Sequence, residues 1–379
     1  MSLFYQDFKL GVLGGGQLGR MLIQEAINYN LQIAVIDPDA EAPCKNLAHK
    51  FVQGSLNDYE TVLAFGRQCD LVTIEIENVN TEALKQLQEE GVTVYPQANI
   101  IKLIKNKVEQ KLFYRNNGIP TANFVVVENK QDVASTELSL PIVNKLATEG
   151  YDGHGVQVIR NEADFDKAFD TNGLVEEFVD FEKEISVILA RNPGGEIKTF
   201  PTVELEFHPH HNLVEYLHTP AEISPEIDTQ AREIAIEVIT KLDMVGLLAV
   251  EMFVTRDGQV LVNEIAPRTH NSGHQTIESC TTSQFNQHLR AILGLPLGDT
   301  SLITPATMVN LLGEDGHTGP ARYEGLEEVI ALKGVYVHLY GKAITKPFRK
   351  MGHITITGNN KESLAEKAKF VKETLKVKS

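Results

Sequence analysis

The chain has 379 residues, 42% of them hydrophobic and 23% charged, enough for two or three domains of roughly 100–200 residues each. Asp plus Glu outnumber Lys plus Arg by 51 to 35, a formal net charge of −16, so no nucleic-acid or anionic-membrane partner is expected, and an anionic substrate needs a local basic pocket. No apolar run approaches the roughly 18 residues of a membrane span, residues 1–7 carry no secretory pattern, and Cys44, Cys69 and Cys280 are scattered without a CxxC, which fits a reduced, cytoplasmic protein.

In chain order, residues 9–13, 32–36, 70–74 and 92–95 are short apolar runs that predict buried parallel strands. Between the first two, Leu18, Met21, Leu22 and Ile27 are expected on one helical face. Residues 57–68 and 81–90 predict further helices, the second capped by Thr81 and ended by Gly91. Residues 1–100 are thus expected to form a doubly wound α/β domain. Residues 101–182 predict a linker helix (100–117) and a small α+β lid, with strands at 141–146, 156–160 and 174–179 and a short helix at 162–169. Residues 183–379 predict a C-terminal mixed-sheet domain with strands at 185–190, 247–255 and 259–265 and a helix at 225–242. From about Pro305, short strands and a last helix at 361–375 follow.

Gly14-Gly15-Gly16-Gln17-Leu18-Gly19 satisfies GxGxxG directly after a predicted strand, and Asp37 ends the next one. Alone, the pattern points to an NAD-dependent dehydrogenase. The same turn serves wherever helix N-terminal amides approach an anion, or a strand and helix pack closely. The rest of the chain favours the second reading.

The run 247–255 meets the run 259–264 through Arg256-Asp257-Gly258. Asp-Gly between two strand-like runs predicts a hairpin with a two-residue loop. In that register Glu251 stands directly opposite Glu264, on the same face. Opposed like charges call for a shared proton, which raises one pKa, or for a cation between them. Mg²⁺ takes carboxylate oxygens and keeps positions free for phosphates. A three-residue loop would shift the register by one and separate the pair.

Gly150-Tyr151-Asp152-Gly153-His154-Gly155 joins two predicted lid strands, beside Lys145. Such a glycine-rich turn can fold its amides over phosphates, though a plain flexible hairpin has the same composition. Residues 175–179 form a strand whose backbone could meet an adenine. No acidic residue occurs from Val329 to Lys361, which carries Lys342, Lys346, Arg349 and Lys350, and this is the candidate anion pocket. Arg268-Thr269-His270-Asn271-Ser272-Gly273-His274 is dense in groups that recognise phosphate or hydroxyls. His208-Pro209-His210-His211 reads as an exposed polar loop in preference to a metal site.

Taken in order, these segments resemble the ATP-grasp superfamily and, within it, the N5-carboxyaminoimidazole ribonucleotide synthetase family. The motifs that carry the resemblance are Gly14 to Met21, Gly150 to Gly155, Asn263 to His274, Tyr340-Gly341-Lys342 and Arg349 to His353. The resemblance implies an ATP-grasp fold, of α/β and α+β character, and an ATP- and bicarbonate-dependent carboxylation of 5-aminoimidazole ribonucleotide by a homodimer. It implies ATP contacts from Lys107, Lys145, Gly150, Tyr151, Asp152, Gly153, His154, Gly155, Val156, Glu176, Glu177, Phe178, Val179, Glu184, His208, Asn263 and Glu264. Glu251 and Glu264 would bind Mg²⁺, with two ions possible. Gly16, Gln17, Glu75, Arg268, His270, Asn271, Lys342 and Arg349 would meet the ribonucleotide. Tyr151, Asp152, Arg268 and His270 would surround the reacting atoms, Asp152 accepting the amine proton. The resemblance moves the GxGxxG turn from NAD to the ribonucleotide. The same architecture and chemistry leave open a formate-dependent glycinamide ribonucleotide transformylase.

Overall fold

The computed structural model describes residues 7–148, 155–208 and 213–379. β1 (Lys9–Leu13), β2 (Gln32–Asp37), β3 (Lys50–Gln53), β4 (Leu71–Ile74) and β5 (Thr93–Val94) form a parallel sheet in the order β3-β2-β1-β4-β5. The pattern did not reveal β3, a four-residue edge strand with polar ends and no buried residue. α1 (Gln17–Asn28), α2 (Tyr59–Gly66) and α3 (Thr81–Glu89) flank this sheet. α1 buries Leu18, Met21, Leu22, Ile23 and Ala26, while Ile27 is 62% exposed. Nine residues are two and a half helical turns, so Ile27 faces away from Leu18. The cap of α3 is Asn80 and not Thr81, since the Asn80 side-chain Oδ1 accepts from the Ala83 amide at 2.9 Å.

The single linker helix expected over 100–117 is two helices, α4 (Ala98–Lys105) and α5 (Lys107–Asn116). Asn106 divides them, its side chain accepting from the Val108 and Glu109 amides. The lid follows: β6 (Phe124–Val127), α6 (Lys130–Ala134), β7 (Ile142–Leu146), β8 (Val156–Ile159) and β9 (Gly173–Glu177), an antiparallel sheet in the order β6-β9-β7-β8. It has its own small core around Val127, Ile142, Ile159 and Val175.

A nine-stranded sheet makes up most of the rest. Its strands are β10 (Phe181–Arg191), β11 (Ile197–Thr199), β12 (Val203–Phe207), β13 (Val214–Thr219), β14 (Gly246–Thr255), β15 (Val260–Ala266) and β16 (Ala306–Leu312), then two from the C-terminal region. That region contains β17 (Gly319–Pro320), β18 (Arg322–Glu324), α10 (Leu326–Ile330), β19 (Val335–Leu339), β20 (Ile344–Thr345), β21 (Lys350–Thr357), α11 (Lys361–Thr374) and β22 (Lys376–Lys378). The strand path β15-β14-β10-β12-β13-β16-β21-β19 is antiparallel, and a parallel bridge of Thr121 to Val262 extends the β15 edge. α7 (Pro225–Lys241) packs on one face of β10 and β14. α8 (Thr276–Ser279) and α9 (Gln284–Ile292) follow β15, and α9 carries Phe285, Leu289 and Ile292 into the core of the first domain. Covered on both faces, β10 and β14 read as nearly continuous apolar runs. Among the described residues no helix is long and apolar enough to cross a membrane.

Candidate active site

The glycine-rich turn is filled by the protein's own carboxylates. The Gly15 amide donates to Asp37 Oδ2 at 2.7 Å, the Gly16 amide donates to Glu75, and the Gly19 amide donates to Glu75 Oε2 at 2.5 Å. A Cβ on Gly16 would lie 2.6 Å from Glu75 Oε1, and one on Gly14, at φ +101°, 2.5 Å from Glu75 Cγ. These glycines therefore exist for close approach to Glu75. Burial raises the Glu75 carboxyl despite the two amides that favour its anion. The dinucleotide reading gives way here, because the anion position at the start of α1 and the Asp37 oxygens are both in use. Glu75, expected against the substrate, turns its carboxylate inward to the turn.

The second feature is a cleft of about 530 Å³ between the lid and the nine-stranded sheet. Val143 and Val158 line it from the lid, and Phe181, Leu205, Leu217 and Phe253 from the sheet. The Phe181 and Phe253 rings stack at 4.6 Å. Glu177, Phe178 and Val179 run along one edge, and Lys107, Lys145, Glu184, Glu251, Asn263, Glu264, His270, Asn271 and Lys350 form the polar end. Half apolar, with convergent charged groups at one end, the cleft has the lining of a nucleotide site.

The paired glutamates stand where the sequence placed them, by a different route. The loop has three residues, Arg256-Asp257-Gly258: the Thr255 amide donates to the Gln259 carbonyl at 2.9 Å and Gly258 has φ +82°. Near the turn Val254 therefore faces Val260 and Met252 faces Val262, one residue out of the expected register. A bulge at Asn263 then absorbs one residue, and Glu251 faces Glu264 after all. The bulge also lets two consecutive residues, Asn263 and Glu264, line the same cleft.

Three carboxylates now share one wall. Lys107 Nζ lies 2.6 Å from Glu264 Oε2 and holds that carboxyl down at about 2, although 44% of the Glu264 side chain is open to the cleft and solvent screens the pull. Burial, reinforced by the charges of Glu264 and Glu184, raises Glu251 well above the carboxylate range. Burial and the Glu264 charge push Glu184 up to about 8. The raised Glu251 favours a proton on the pair, and a cation between the carboxylates would relieve the same repulsion. Two carboxylates and the Asn263 amide oxygen are hard donors that suit Mg²⁺. Among the described residues no group of three or more His, Cys, Asp or Glu surrounds one point, so the ion would complete its shell with phosphate and water oxygens.

Lys145 Nζ donates to Asn263 Oδ1 at 3.1 Å and lies 2.9 Å from Glu176 Oε2. Glu176 lines the cleft but is only 3% exposed, its carboxylate oxygens pairing with Lys145 and with Lys111 of α5. Val156 pairs with Lys145 and lines the cleft. Gly155 takes φ +78° and its carbonyl accepts from Leu146. Gly150, Tyr151, Asp152, Gly153 and His154 lie outside the described residues. His208 lines a neighbouring cavity of about 250 Å³, with Glu215 and Lys372, and not the nucleotide cleft.

On the far side of the polar end, Arg268 Nε lies 2.9 Å from Glu77 Oε1. Gln284 clamps His270 by accepting from its amide at 2.8 Å and donating to its carbonyl at 2.7 Å. His270 Nε2 is 3.5 Å from Glu251 Oε1, and Asn271 exchanges side-chain hydrogen bonds with Asn310. Lys342 donates to the Lys350 carbonyl at 2.7 Å and Arg349 to the Ile344 carbonyl at 2.6 Å. The Arg20 guanidinium of α1 reaches Gly341, so the basic C-terminal turn meets the glycine-rich start.

The family models match in the same order as the architecture. A ribonucleotide synthetase preATP-grasp domain covers residues 8–105, an ATP-grasp domain 112–285, and a phosphoribosylaminoimidazole carboxylase C-terminal domain 306–367. The chain is 39% identical over 361 residues to the N5-carboxyaminoimidazole ribonucleotide synthase of Bacillus subtilis (strain 168), covering 93% of this chain and 92% of that protein. The chain belongs to the N5-carboxyaminoimidazole ribonucleotide synthase family, of ATP-grasp fold. The synthetase structure from Thermotoga maritima superposes with a TM-score of 0.91 at 41% identity, covering 98% of this chain and 99% of that one. A synthase from Aspergillus clavatus, solved in complex with ADP and 5-aminoimidazole ribonucleotide, gives 0.88 at 33% identity, covering 97% and 98%.

Some residues of this site were not singled out from the sequence. Glu77 holds Arg268, Gln284 fixes His270 and Lys111 of α5 pairs with Glu176, whereas Lys350, already part of the basic stretch, lines the cleft. Lys111 had a local signal, since it lies four residues after Lys107 on the same helical face. Gln284 had none, because the partners of its side chain are ten or more residues away.

Proposed function

We propose that this chain carboxylates 5-aminoimidazole ribonucleotide to N5-carboxyaminoimidazole ribonucleotide in purine biosynthesis, using ATP and bicarbonate. The observation that carries it is the opposed pair Glu251 and Glu264, flanked by Lys107, Lys145 and Asn263 at the polar end of a nucleotide-sized cleft. The apolar end takes the adenine beside residues 177–179, and Glu184 takes the ribose. Lys107, Lys145 and the 150–155 turn hold the phosphates. Glu251, Glu264 and Asn263 hold Mg²⁺, which supplies charge neutralisation for phosphoryl transfer when bound.

A bicarbonate oxygen attacks the γ-phosphorus and ADP leaves, giving carboxyphosphate. The carbon–oxygen bond of carboxyphosphate then breaks to release CO₂ and phosphate, and the nucleotide amine adds to the CO₂ carbon. Asp152 takes the amine proton. Arg268, steered by Glu77, and His270, clamped by Gln284, stabilise negative charge at the reacting end. Lys342 and Arg349 take the 5′-phosphate, and Gly16 and Gln17 border the same nucleotide. Lid closure keeps water from carboxyphosphate. A homodimer, a cytoplasmic location and no nucleic-acid or membrane partner belong to the same reading, supported by the family, the three unpaired thiols and the net negative charge.

ADP release with Mg²⁺-ATP and bicarbonate tests it, with and without 5-aminoimidazole ribonucleotide, against a parallel arm of glycinamide ribonucleotide plus formate. Release that needs the aminoimidazole supports the proposal. Release only in the formate arm moves the activity to the transformylase class.

A further inference from the structure

The hydrogen bonds around Lys145 close a ring that starts and ends on two consecutive residues of β15. The Val262 carbonyl accepts from Thr121 Oγ1 at 2.7 Å, and that hydroxyl accepts from Lys111 Nζ at 2.6 Å. Lys111 Nζ lies 3.1 Å from Glu176 Oε1, and Lys145 Nζ lies 2.9 Å from Glu176 Oε2. Lys145 then donates to Asn263 Oδ1 at 3.1 Å, one residue beyond Val262. The ring ties α5 and the lid strands β7 and β9 to the bulged edge of the large sheet. Lys145, Glu176 and Asn263 line the cleft, whereas Lys111 is 3% exposed behind them.

The charges in this ring decide what Lys145 can do. Two lysines share one buried carboxylate, leaving one positive charge in excess at the cleft wall. Without Lys111, Lys145 would be the one cation among the described residues left within ion-pairing distance of Glu176. A cation in that position is held by its partner, because separating a buried pair strands a charge in a poor solvent. We infer that Lys111 is a positioning residue for Lys145: it neutralises Glu176 from behind, which leaves Lys145 able to hold a nucleotide phosphate without abandoning the carboxylate. The inference rests on the reading of Lys145 as a phosphate contact, and a separate variant tests that reading.

The experiment is steady-state carboxylation kinetics with ADP binding by calorimetry on the full chain, for Lys145→Met, Lys111→Met, Glu176→Gln and Lys111→Met/Glu176→Gln. An unchanged KM for ATP in Lys145→Met overturns the reading of Lys145 and the inference with it. Where that KM rises, Lys111→Met is expected to raise the KM for ATP and the Kd for ADP about tenfold, with kcat within about twofold, the loss of one charged hydrogen bond. The double variant is expected to regain at least half of that loss on a logarithmic scale, since removing Glu176's charge frees Lys145 again. Additive losses in the double variant, or a Lys111→Met protein that melts earlier with an unchanged KM for ATP, overturn the inference and leave Lys111 a structural residue. If Lys111→Met does not fold, Thr121→Val removes the hydroxyl from the ring at constant shape. It is expected to raise the same KM about two- to threefold, and no rise overturns the inference.

Discussion

Glu251 faces Glu264 across β14 and β15 even though the turn between these strands is one residue longer than a two-residue hairpin loop. The extra loop residue and the bulge at Asn263 cancel, so the pairing survives while the register near the turn does not. The cancellation has a chemical product. An unbulged strand would send alternate residues to opposite faces, whereas here Asn263 and Glu264 both reach the cleft.

The two glutamates are expected to respond differently to the same substitution. Burial and the neighbouring Glu264 and Glu184 charges raise Glu251 well above the carboxylate range, so the neutral Glu251→Gln should change stability by less than about 0.5 kcal/mol. Glu264→Gln leaves Lys107, with 19% side-chain exposure, without its partner and should cost about 1–2 kcal/mol. Both should lower kcat by about 100-fold or more, as removal of transition-state charge stabilisation does. Urea melts and turnover of the two variants check this, and equal stability losses would contradict it.

The acidic wall gives stability a definite pH slope. Glu184 is held up at about 8 in the fold against an ordinary value of 4.5. Between these limits the unfolded chain has released a proton that the folded chain retains, so stability falls as pH rises through this window. Subtracting the curve of Glu184→Gln from that of the wild type, both without nucleotide or metal from pH 4 to 9, should show the decline. Mg²⁺-ADP, which favours ionised carboxylates on the wall, should bind more tightly as pH rises through the same range.

The filled glycine turn predicts that the first domain does not take up a dinucleotide. NADH fluorescence should be unchanged by the protein at concentrations where ADP binding saturates. Gly16→Ala, which drives a methyl group into Glu75, should destabilise the chain by about 1–3 kcal/mol. A binding isotherm for NADH, or a neutral Gly16→Ala, would show that Glu75 leaves the turn readily.

Gln284 should matter to the ribonucleotide and not to ATP. Its amide group holds the His270 amide and carbonyl and the His274 ring. Gln284→Leu strands these buried groups and should cost about 2–4 kcal/mol. The KM for 5-aminoimidazole ribonucleotide should rise about tenfold or more as the His270 loop loosens, with the KM for ATP little changed.

What the sequence determined by itself was chiefly local. Strand β1, helix α7 to within a residue and the β14–β15 hairpin follow from periodicity and capping, because the groups that decide them lie within a few residues of one another. The motifs likewise marked Lys145, Asn263, Glu264 and the 268–274 segment, since their chemistry is written in residue type and order. Tertiary structure decided what those residues face. The GxGxxG turn looked open to an anion until Glu75, 59 residues after Gly16, filled it. The Lys111–Glu176–Lys145 ring joins positions far apart in the chain, and only the approach of the lid to β15 sets its charge balance. Even the opposed glutamates owe their register to a bulge that strand propensity does not encode. Backbone preference is a short-range property, while burial, counter-charge and pKa depend on neighbours that the chain meets only once it is folded.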